Sequence, residues 1–533
     1  CRYSEGNDRM KKVILTLFVM RFALLLPLVV LAEEKPPNIV LFLVDDMGWQ
    51  DTSVPFHTER TLFNDHFRTP NMERLAKQGV KFTQAYAAAV CSPTRTSIMT
   101  GQNPIRHHVT NWTLNKDGET SGKTARLQAP TNWKRNGLQP GAITLPKLLQ
   151  RAGYYTIHAG KAHWGAHDTP GSNPRNLGFD ANIAGHAAGG PGGWYGKTNF
   201  GNNPDGTPKR PWGIPGLEHY YGKEIHLTDA TTIDALKAVD TAVSKDKPFY
   251  LYLAHYAVHA PIRPHPPYDD NYKGKKYAGT NIPIPGVEVS YASMVEGMDA
   301  SLGQVLDKLD ELKVAEDTII MFSSDNGGLS YGARGKTPRN TGRNTHCWPL
   351  KAGKGSAYEG GTRVPMIVSW ARPNFENPHQ KKIPIAAASI CDTPNICEDY
   401  YPTLCNWAGI SDLLAGREDI DGRDLTPDVT GKAPKVTQPF LFHYPHVWGP
   451  RGPGYEPHSS IRLGDWKAIY FYQPQRWELY NLKDDLGEAK NMAIINSERL
   501  KELSDRMKIE HDLRDAQYPA NRETKEPEPP LWR

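Results

Sequence analysis

Two polar pairs each close an apolar run. Asp45-Asp46 follows Asn38-Ile39-Val40-Leu41-Phe42-Leu43-Val44, and Asp325-Asn326 follows Thr318-Ile319-Ile320-Met321-Phe322-Ser323-Ser324. Hard cations such as Ca2+ and Mg2+ prefer carboxylate and amide oxygens, so Asp45, Asp46, Asp325 and Asn326 can together hold one such ion. Between the pairs lies Cys91-Ser92-Pro93-Thr94-Arg95. Pro93 suits the first turn of a helix, and a helix N-terminus offers backbone donors and positive potential to an oxyanion. Arg95 lies one turn on, with a fixed charge. Further cations and histidines follow in Gly160-Lys161-Ala162-His163, in His255-Tyr256-Ala257-Val258-His259-Ala260-Pro261 and in Lys351-Ala352-Gly353-Lys354. Arg95, Lys161 and Lys354 can clamp an anion's oxygens, and His163 and His259 can carry protons. His255 competes with His259 and reads as an outer group, as Lys351 does beside Lys354.

Singly, each has a plainer explanation. A lone Cys is among the most buried residue types, adjacent acids often cap turns, and a lysine two residues from a histidine often marks a solvated strand edge. Their placement along the chain argues otherwise. The run before Asp45 reads as a central strand buried on both faces. Thr69 to Gly79 has a helix pattern with Pro70 at its first position and Gly79 as its stop. Val80-Lys81-Phe82 reads as a strand, Leu145 to Gly153 as a helix, and Tyr154 to Ala159 and Lys247 to His255 as strands. Residues 291–313 form a long amphipathic helix, followed by strands over 318–324 and Val364 to Trp370. Strand–helix alternation implies an α/β fold, a large and mostly parallel sheet with helices on both faces. Ligands in such sheets bind beyond the carboxyl ends of the strands, where these polar residues fall.

After about residue 420 the texture changes. Ser459 to Phe471 reads as a hairpin turning at Gly464-Asp465, Trp477 to Leu482 as a strand and Ser497 to Leu513 as a helix. We therefore expect a catalytic domain over 36–420, a smaller C-terminal α+β subdomain with an antiparallel sheet over 421–513, and a loose tail over 514–533. The Gly-rich stretch 185–206 is long enough to be a functional loop.

Residues 10–32 have the form of a secretory signal: Lys11 and Lys12, an apolar stretch, and a small-residue cleavage site near Ala32. Arg21 and Pro27 interrupt the apolar run and no Cys follows it, which argues against a stable membrane or lipid anchor. The expectation is an exported, periplasmic or secreted protein. Residues 1–9 precede the expected start at Met10. The formal net charge is +5, of which residues 1–32 carry +3, so there is no nucleic-acid footprint. Of six cysteines, Cys391 and Cys397 are close enough to bridge locally, although spacing does not settle pairing.

Cys91-Ser92-Pro93-Thr94-Arg95 resembles the C-x-P-x-R core of the type I sulfatases, a family of the alkaline phosphatase superfamily. Gly160-Lys161-Ala162-His163 resembles its G-K-x-H block, His259-Ala260-Pro261 its H-x-P block, and Lys354 lies in a further block ending Glu359-Gly360-Gly361-Thr362-Arg363-Val364-Pro365. The C-terminal Asp465-Trp466-Lys467 and Glu478-Leu479-Tyr480-Asn481-Leu482 also match, so the resemblance spans nearly the whole chain after the signal segment. It implies an alkaline-phosphatase-like fold and a sulfuric ester hydrolase. It implies that Cys91 is oxidised to formylglycine by an oxygen-dependent formylglycine-generating enzyme or a radical maturation enzyme. One Ca2+ is then held by Asp45, Asp46, Asp325 and Asn326, with the modified Cys91 also facing it. Arg95, Lys161 and Lys354 bind sulfate, a hydroxyl of the hydrated aldehyde attacks sulfur, His259 protonates the leaving oxygen, and His163 helps the second hydroxyl expel sulfate. Glu359 and Arg363 read as structural.

The expected substrate is a sulfated carbohydrate, an algal polysaccharide or a glycosaminoglycan. His107, His108, Trp112, Trp133, His186, Trp194, Tyr195 and Arg263 lie in loops suited to sugar faces. A phosphatase or phosphodiesterase of the same superfamily is the alternative, but those use Thr or Ser as nucleophile. A non-catalytic sulfated-glycan binder is a further alternative, favoured if Cys91 stays unmodified.

Overall fold

The computed structural model describes residues 35–121, 125–329, 347–447 and 454–533. The expected signal segment 10–32 lies outside the described residues. Among the described residues no helix is long and apolar enough to cross a membrane.

The strands in chain order are β1 (Asn38–Val44), β2 (Val80–Tyr86), β3 (Leu127–Gln128), β4 (Tyr155–Gly160), β5 (Ala181–Ile183), β6 (Phe249–Ala254), β7 (Thr318–Ser324) and β8 (Arg363–Trp370). There follow β9 (Ser389–Cys391), β10 (Asn395–Ile396), β11 (Phe440–Tyr444), β12 (His458–Leu463), β13 (Trp466–Phe471), β14 (Arg476–Asn481) and β15 (Ala520–Asn521). A nine-stranded sheet has the order β10-β2-β8-β7-β1-β6-β4-β5, with β9 also beside β2. β1 is central because every residue in it is buried. Its alternate side chains feed two cores: Val40, Phe42 and Val44 on one face, Ile39, Leu41 and Leu43 on the other. β1 runs parallel to β6 and β7, and β4 parallel to β6 and β5. β8 runs antiparallel to both β7 and β2, so the sheet is mixed and mostly parallel.

The helix expected after Thr69 spans Pro70–Gln78 with Pro70 at its start. Gly79 ends it for want of space. A Cβ there would lie 2.1 Å from the Val368 carbonyl oxygen of β8. The long helix expected over 291–313 runs from Gly286 to Glu311. It lies across the core on the Val40 face of the sheet, with Tyr291, Met294, Met298 and Leu302 buried.

The C-terminal residues form the expected antiparallel sheet, β11-β12-β13-β14. β12 and β13 join at Gly464-Asp465, with Gly464 at φ 60. Leu500, Leu503 and Met507 of the Ser497–Leu513 helix pack with Ile461, Tyr470 and Leu479 of the sheet. Residues 514–533 are a correction to the expected loose tail. β15 pairs with β3, the Trp477 indole donates to the Leu531 carbonyl at 2.8 Å, and the Arg533 amide donates to Ser504 Oγ at 2.9 Å. Tyr518 and Trp532 bury apolar surface against the same core, and this outweighs the polar, Pro-rich composition. Cys391 and Cys397 are both free thiols, as are Cys347 and Cys405, so the suggested local bridge is not made.

One buried ionic group ties the C-terminal sheet to the larger one. Lys467 of β13 places Nζ 3.0 Å from Glu359 Oε1 and 3.0 Å from Glu488 Oε1, with all three side chains fully buried. Glu359 also accepts from the Tyr86 hydroxyl at 2.6 Å. Removing the shared cation takes away the ion-pair partner of buried Glu488 and leaves Glu359 to its longer contact with Arg363 at 3.4 Å. Lys467→Met is expected to lower unfolding stability by about 3–5 kcal/mol, read as an earlier urea midpoint.

Candidate active site

The acid pairs meet because of strand register. β1 and β7 run in parallel with Val44 beside Ser324, so Asp45-Asp46 and Asp325-Asn326 emerge together from adjacent strand ends. The crossing is fastened by Asp325 N to Val44 O at 3.1 Å, Met47 N to Ser324 Oγ at 3.1 Å and Asp46 N to Asp325 Oδ1 at 3.3 Å. Asp46 takes φ 61, the left-handed region that Asp tolerates better than bulkier residues. β4 delivers Lys161 through Gly160, which has φ 99 and whose absent Cβ would lie 1.9 Å from the Ala254 oxygen. β6 delivers His255 and His259. Lys354 comes from a loop fixed by its own amide to Gly328 O at 3.0 Å and by Gly355 N to Ala89 O at 2.7 Å.

Cys91 opens a helix, Cys91–Thr100, in which every residue is buried although most are polar. The polar groups are spent inside. Thr94 Oγ1 accepts from Ala88 N at 2.9 Å, Ser92 Oγ donates to His163 O at 2.8 Å, and Arg95 Nη1 donates to Lys161 O at 2.6 Å. The Arg95 fork also meets Asp325 Oδ2, from Nε at 2.9 Å and Nη2 at 2.8 Å. Lys161 Nζ lies 2.6 Å from Asp45 Oδ2, and Lys354 Nζ 2.6 Å from Asp46 Oδ1. Cys91 Sγ lies 3.8 Å from Asp45 Oδ1. Burial pushes the Cys91 thiol up to about 11 despite Lys161 and Lys354 nearby.

The donor set suits a hard cation. Asp45, Asp46, Asp325 and Cys91 each offer an atom within 4.8 Å of the others. Asn326 Nδ2 donates to Asp46 Oδ1 at 2.8 Å, which leaves Asn326 Oδ1 buried with no hydrogen-bond partner; Asp46 Oδ2 is likewise unpartnered. Burial, and then the charge of Asp325, raise the Asp45 carboxyl well above its ordinary range even with Lys161 in contact. Burial also works against Asp46, but Lys354, His259 and Lys161 together reverse it and hold that carboxyl low. The residues therefore fit an oxygen-preferring divalent ion, whose charge would relieve Asp45.

The two histidines differ in which nitrogen is free. His163, at φ 59, uses Nε2 on the Thr113 carbonyl at 2.7 Å and keeps a buried, unpartnered Nδ1. His259 uses Nδ1 on the Ala260 carbonyl at 2.7 Å and turns Nε2 toward Asp46 Oδ2 at 3.7 Å. Burial, then Lys354, lower His259 to about 3; burial, then Lys161, take His163 well below its usual value. Both are neutral in the free protein near neutral pH. Gly189 and Gly190 of the Gly-rich stretch lie against these rings: a Cβ at Gly189 would be 2.3 Å from His163 Cε1, and one at Gly190 2.8 Å from His259 Nδ1.

Every predicted core residue is thus in one place, and the expected outer groups lie outside it. His255 Nε2 meets Ser301 Oγ at 2.8 Å, and Lys351 Nζ donates to Glu488 O at 3.0 Å. Cys91, His163, His259 and Lys354 line a cavity of about 180 Å3 together with Trp112 and Trp212. Of the loop residues expected to face substrate, Trp112 alone lines that cavity. His107, His108, Trp133, His186, Trp194, Tyr195 and Arg263 do not. His107 bonds Ser97, Trp133 packs edge-on against His446, and Trp194 stacks on His226. Trp212 was not foreseen; its signal is a lone aromatic among Gly and Pro just after the Gly-rich stretch.

A mixed α/β sheet here gathers acids, an arginine, two lysines and two histidines around one buried side chain, an arrangement suited to hydrolysis of an oxyanion ester. Comparison with known proteins narrows the class. A family model for sulfatases matches residues 37–410, and one described as the C-terminal part of N-sulphoglucosamine sulphohydrolase matches residues 352–517. The chain is similar to a sulfatase of Formosa agariphila, 29% identical over 87% of this chain and 86% of that one. It is similar to N-acetylgalactosamine-6-sulfatase of Mus musculus, 28% identical over 92% of this chain and 82% of that one. Among solved structures, Ps i-CgsB in complex with k-i-k-neocarrahexaose is 27% identical with a TM-score of 0.66, covering 90% of this chain and 93% of that one. The chain belongs to the sulfatase family, sulfuric ester hydrolases of the alkaline phosphatase superfamily.

The contact of Gly189 with His163 gives a specific expectation. Gly189→Ala displaces the ring by a fraction of its own width, and kcat on a sulfate ester should fall about 100-fold, with the thermal midpoint little changed. Unaltered turnover in that variant would separate His163 from the reaction.

Proposed function

We propose that this chain hydrolyses sulfate esters on a carbohydrate, with formylglycine made from Cys91 and one bound Ca2+. The observation that carries the reading is the position of Cys91. It is buried at a helix start, opens onto the cavity, and is ringed by Asp45, Asp325, Lys161 and Lys354. A thiol held near 11 is protonated at neutral pH and is a poor nucleophile as it stands.

Formylglycine would supply, as its hydrate, one hydroxyl to attack sulfur and a second whose deprotonation expels sulfate. Asp45, Asp46, Asp325 and Asn326 would hold Ca2+, which supplies positive charge to a sulfate oxygen and to the nucleophile. The chain's own groups divide the remaining work. Arg95, expected from its motif to bind sulfate, instead directs Nε and Nη2 to Asp325 and Nη1 to the Lys161 carbonyl, and so fixes the acid pair of β7 relative to the Cys91 helix. Lys161 and Lys354 neutralise sulfate oxygens. His259 gives a proton to the departing oxygen from Nε2, the nitrogen that Ala260 leaves free. His163 accepts one at Nδ1, because Thr113 occupies its Nε2. An anion bound beside His259 favours its protonated form and so opposes the effect of burial.

A carbohydrate leaving group is supported by the tryptophans at the cavity and by what the similar proteins are named for, an N-acetylgalactosamine 6-sulfate ester and a neocarrahexaose complex. Export through residues 10–32 with cleavage near Ala32, and a formylglycine-generating or radical maturation enzyme as partner, complete the reading.

The test is co-expression with a formylglycine-generating enzyme, followed by peptide mass spectrometry across residues 82–106 and assays of sulfate release. The Cys91 peptide should be lighter by the difference between a thiol and an aldehyde. Sulfate should be released from N-acetylgalactosamine 6-sulfate or k-i-k-neocarrahexaose, and Cys91→Ala or a chelator should abolish release, with Ca2+ restoring it after chelation. Full activity with an unmodified Cys91 overturns the formylglycine assignment. Release from 4-nitrophenyl sulfate but from no sulfated sugar overturns the carbohydrate assignment.

A further inference from the structure

Among the described residues Trp212 is the one tryptophan left largely exposed, at 43%, while Trp49, Trp164 and Trp194 are fully buried. It lines the same cavity as Cys91, His163, His259 and Lys354. Its exposure is not that of a slack loop. The Trp212 carbonyl accepts from Gly192 N at 2.7 Å, the Pro211 carbonyl from His167 Nε2 at 3.0 Å, and Lys209 N donates to Asn202 Oδ1 at 3.1 Å. Arg210 Nη1 lies 2.7 Å from each Asp168 carboxylate oxygen. The backbone is fastened on both sides of a side chain that is itself left open.

Trp112 supplies the complementary feature. It lines the cavity, and its Nε1–H is buried with no hydrogen-bond partner among the described residues. A buried donor without a partner costs free energy unless a ligand satisfies it. The cavity volume, about 180 Å3, is below the range of about 300–1,000 Å3 that encloses a drug-sized ligand. It has room for a single sugar ring beside the sulfate position, and any further rings of an oligosaccharide must lie outside.

We propose that Trp212 is the platform on which the sugar ring bearing the sulfate stacks, and that Trp112 Nε1 donates a hydrogen bond to an oxygen of that ring. The C–H bonds on one face of a pyranose carry slight positive charge and meet the negative face of the indole. The donor and the platform fix the ring's tilt, while Lys161 and Lys354 fix its sulfate. Together they decide which sulfated position can reach Cys91. The inference rests on the carbohydrate reading above.

The test compares the matured wild type with Trp212→Ala, Trp212→Phe and Trp112→Phe, on whichever of N-acetylgalactosamine 6-sulfate and k-i-k-neocarrahexaose the wild type turns over faster. Inorganic sulfate serves as a product inhibitor that occupies the anion site alone. Trp212→Ala should raise KM for the sugar about tenfold, the scale of one lost aromatic contact. Trp212→Phe should recover most of that loss. Trp112→Phe, which keeps a ring and removes the N–H, should raise KM by a similar factor of about ten. The inhibition constant of inorganic sulfate should be the same in all four proteins. An unchanged sugar KM in Trp212→Ala overturns the platform. A parallel rise in the sulfate inhibition constant overturns it too, by showing damage to the anion site. If the wild type cleaves 4-nitrophenyl sulfate but neither sugar, the carbohydrate reading fails first and takes this proposal with it.

Discussion

The parallel register of β1 and β7 brings three carboxylates, Asp45, Asp46 and Asp325, to one fully buried place. Charges so far from water are tolerable only when paired. Arg95, Lys161 and Lys354 are the counterparts, and the rest of the site follows from getting them there. Arg95 has to be buried, so the helix that carries it has to bury its polar residues as well. Lys161 has to leave β4 abruptly, which Gly160 permits. Lys354 has to reach in from the chain between β7 and β8, which a loop pinned to Ala89 and Gly328 achieves. Even then Asp45 remains short of positive charge. The same deficit that makes the free site costly makes it receptive to a cation.

The C-terminal sheet belongs to this arrangement. Glu359 lies five residues beyond Lys354 and is held by Lys467 of β13, while its amide donates to Glu488 at 2.7 Å. Lys351 caps the Glu488 carbonyl and lies over the Tyr358 ring at 3.7 Å. The loop that presents Lys354 is therefore clamped at both ends, by Lys467 of β13 and by Glu488 in the chain that follows β14.

Much of this was legible in the sequence because strands buried on both faces appear as unbroken apolar runs. β1, β6, β7 and β8 were each visible in this way, and the polar residues that end them stood out by contrast. The Cys91–Thr100 helix was marked by Pro93 at its first turn and by resemblance, not by periodicity. Its hydroxyls and guanidinium bond backbone groups and a carboxylate of other elements inside the protein, so no polar face or apolar stripe marks it. The loop aromatics failed for a related reason. Trp133 and Trp194 satisfy ordinary packing against His446 and His226, and residue type cannot distinguish that from a surface left open for a ligand. Trp212 differs from them only in what lies opposite it. The docked residues 514–533 were missed because two or three apolar side chains, Tyr518 and Trp532 among them, can anchor a segment whose average composition is polar.

The Gly-rich stretch touches two histidines of the cavity through bare backbone. Gly189 and Gly190 lie against His163 and His259 with no side chain between, and two residues later Gly192 is bonded to the carbonyl of Trp212. One short segment thus leaves no room for a side chain against two histidine rings and, two residues on, fastens the backbone that carries the exposed indole. A change of side chain at 212 leaves that backbone bond available and alters one part of the cavity lining without touching the glycines that lie against the histidine rings. The cavity's exposed indole and its closely packed histidines are in this way tied to the same few peptide units.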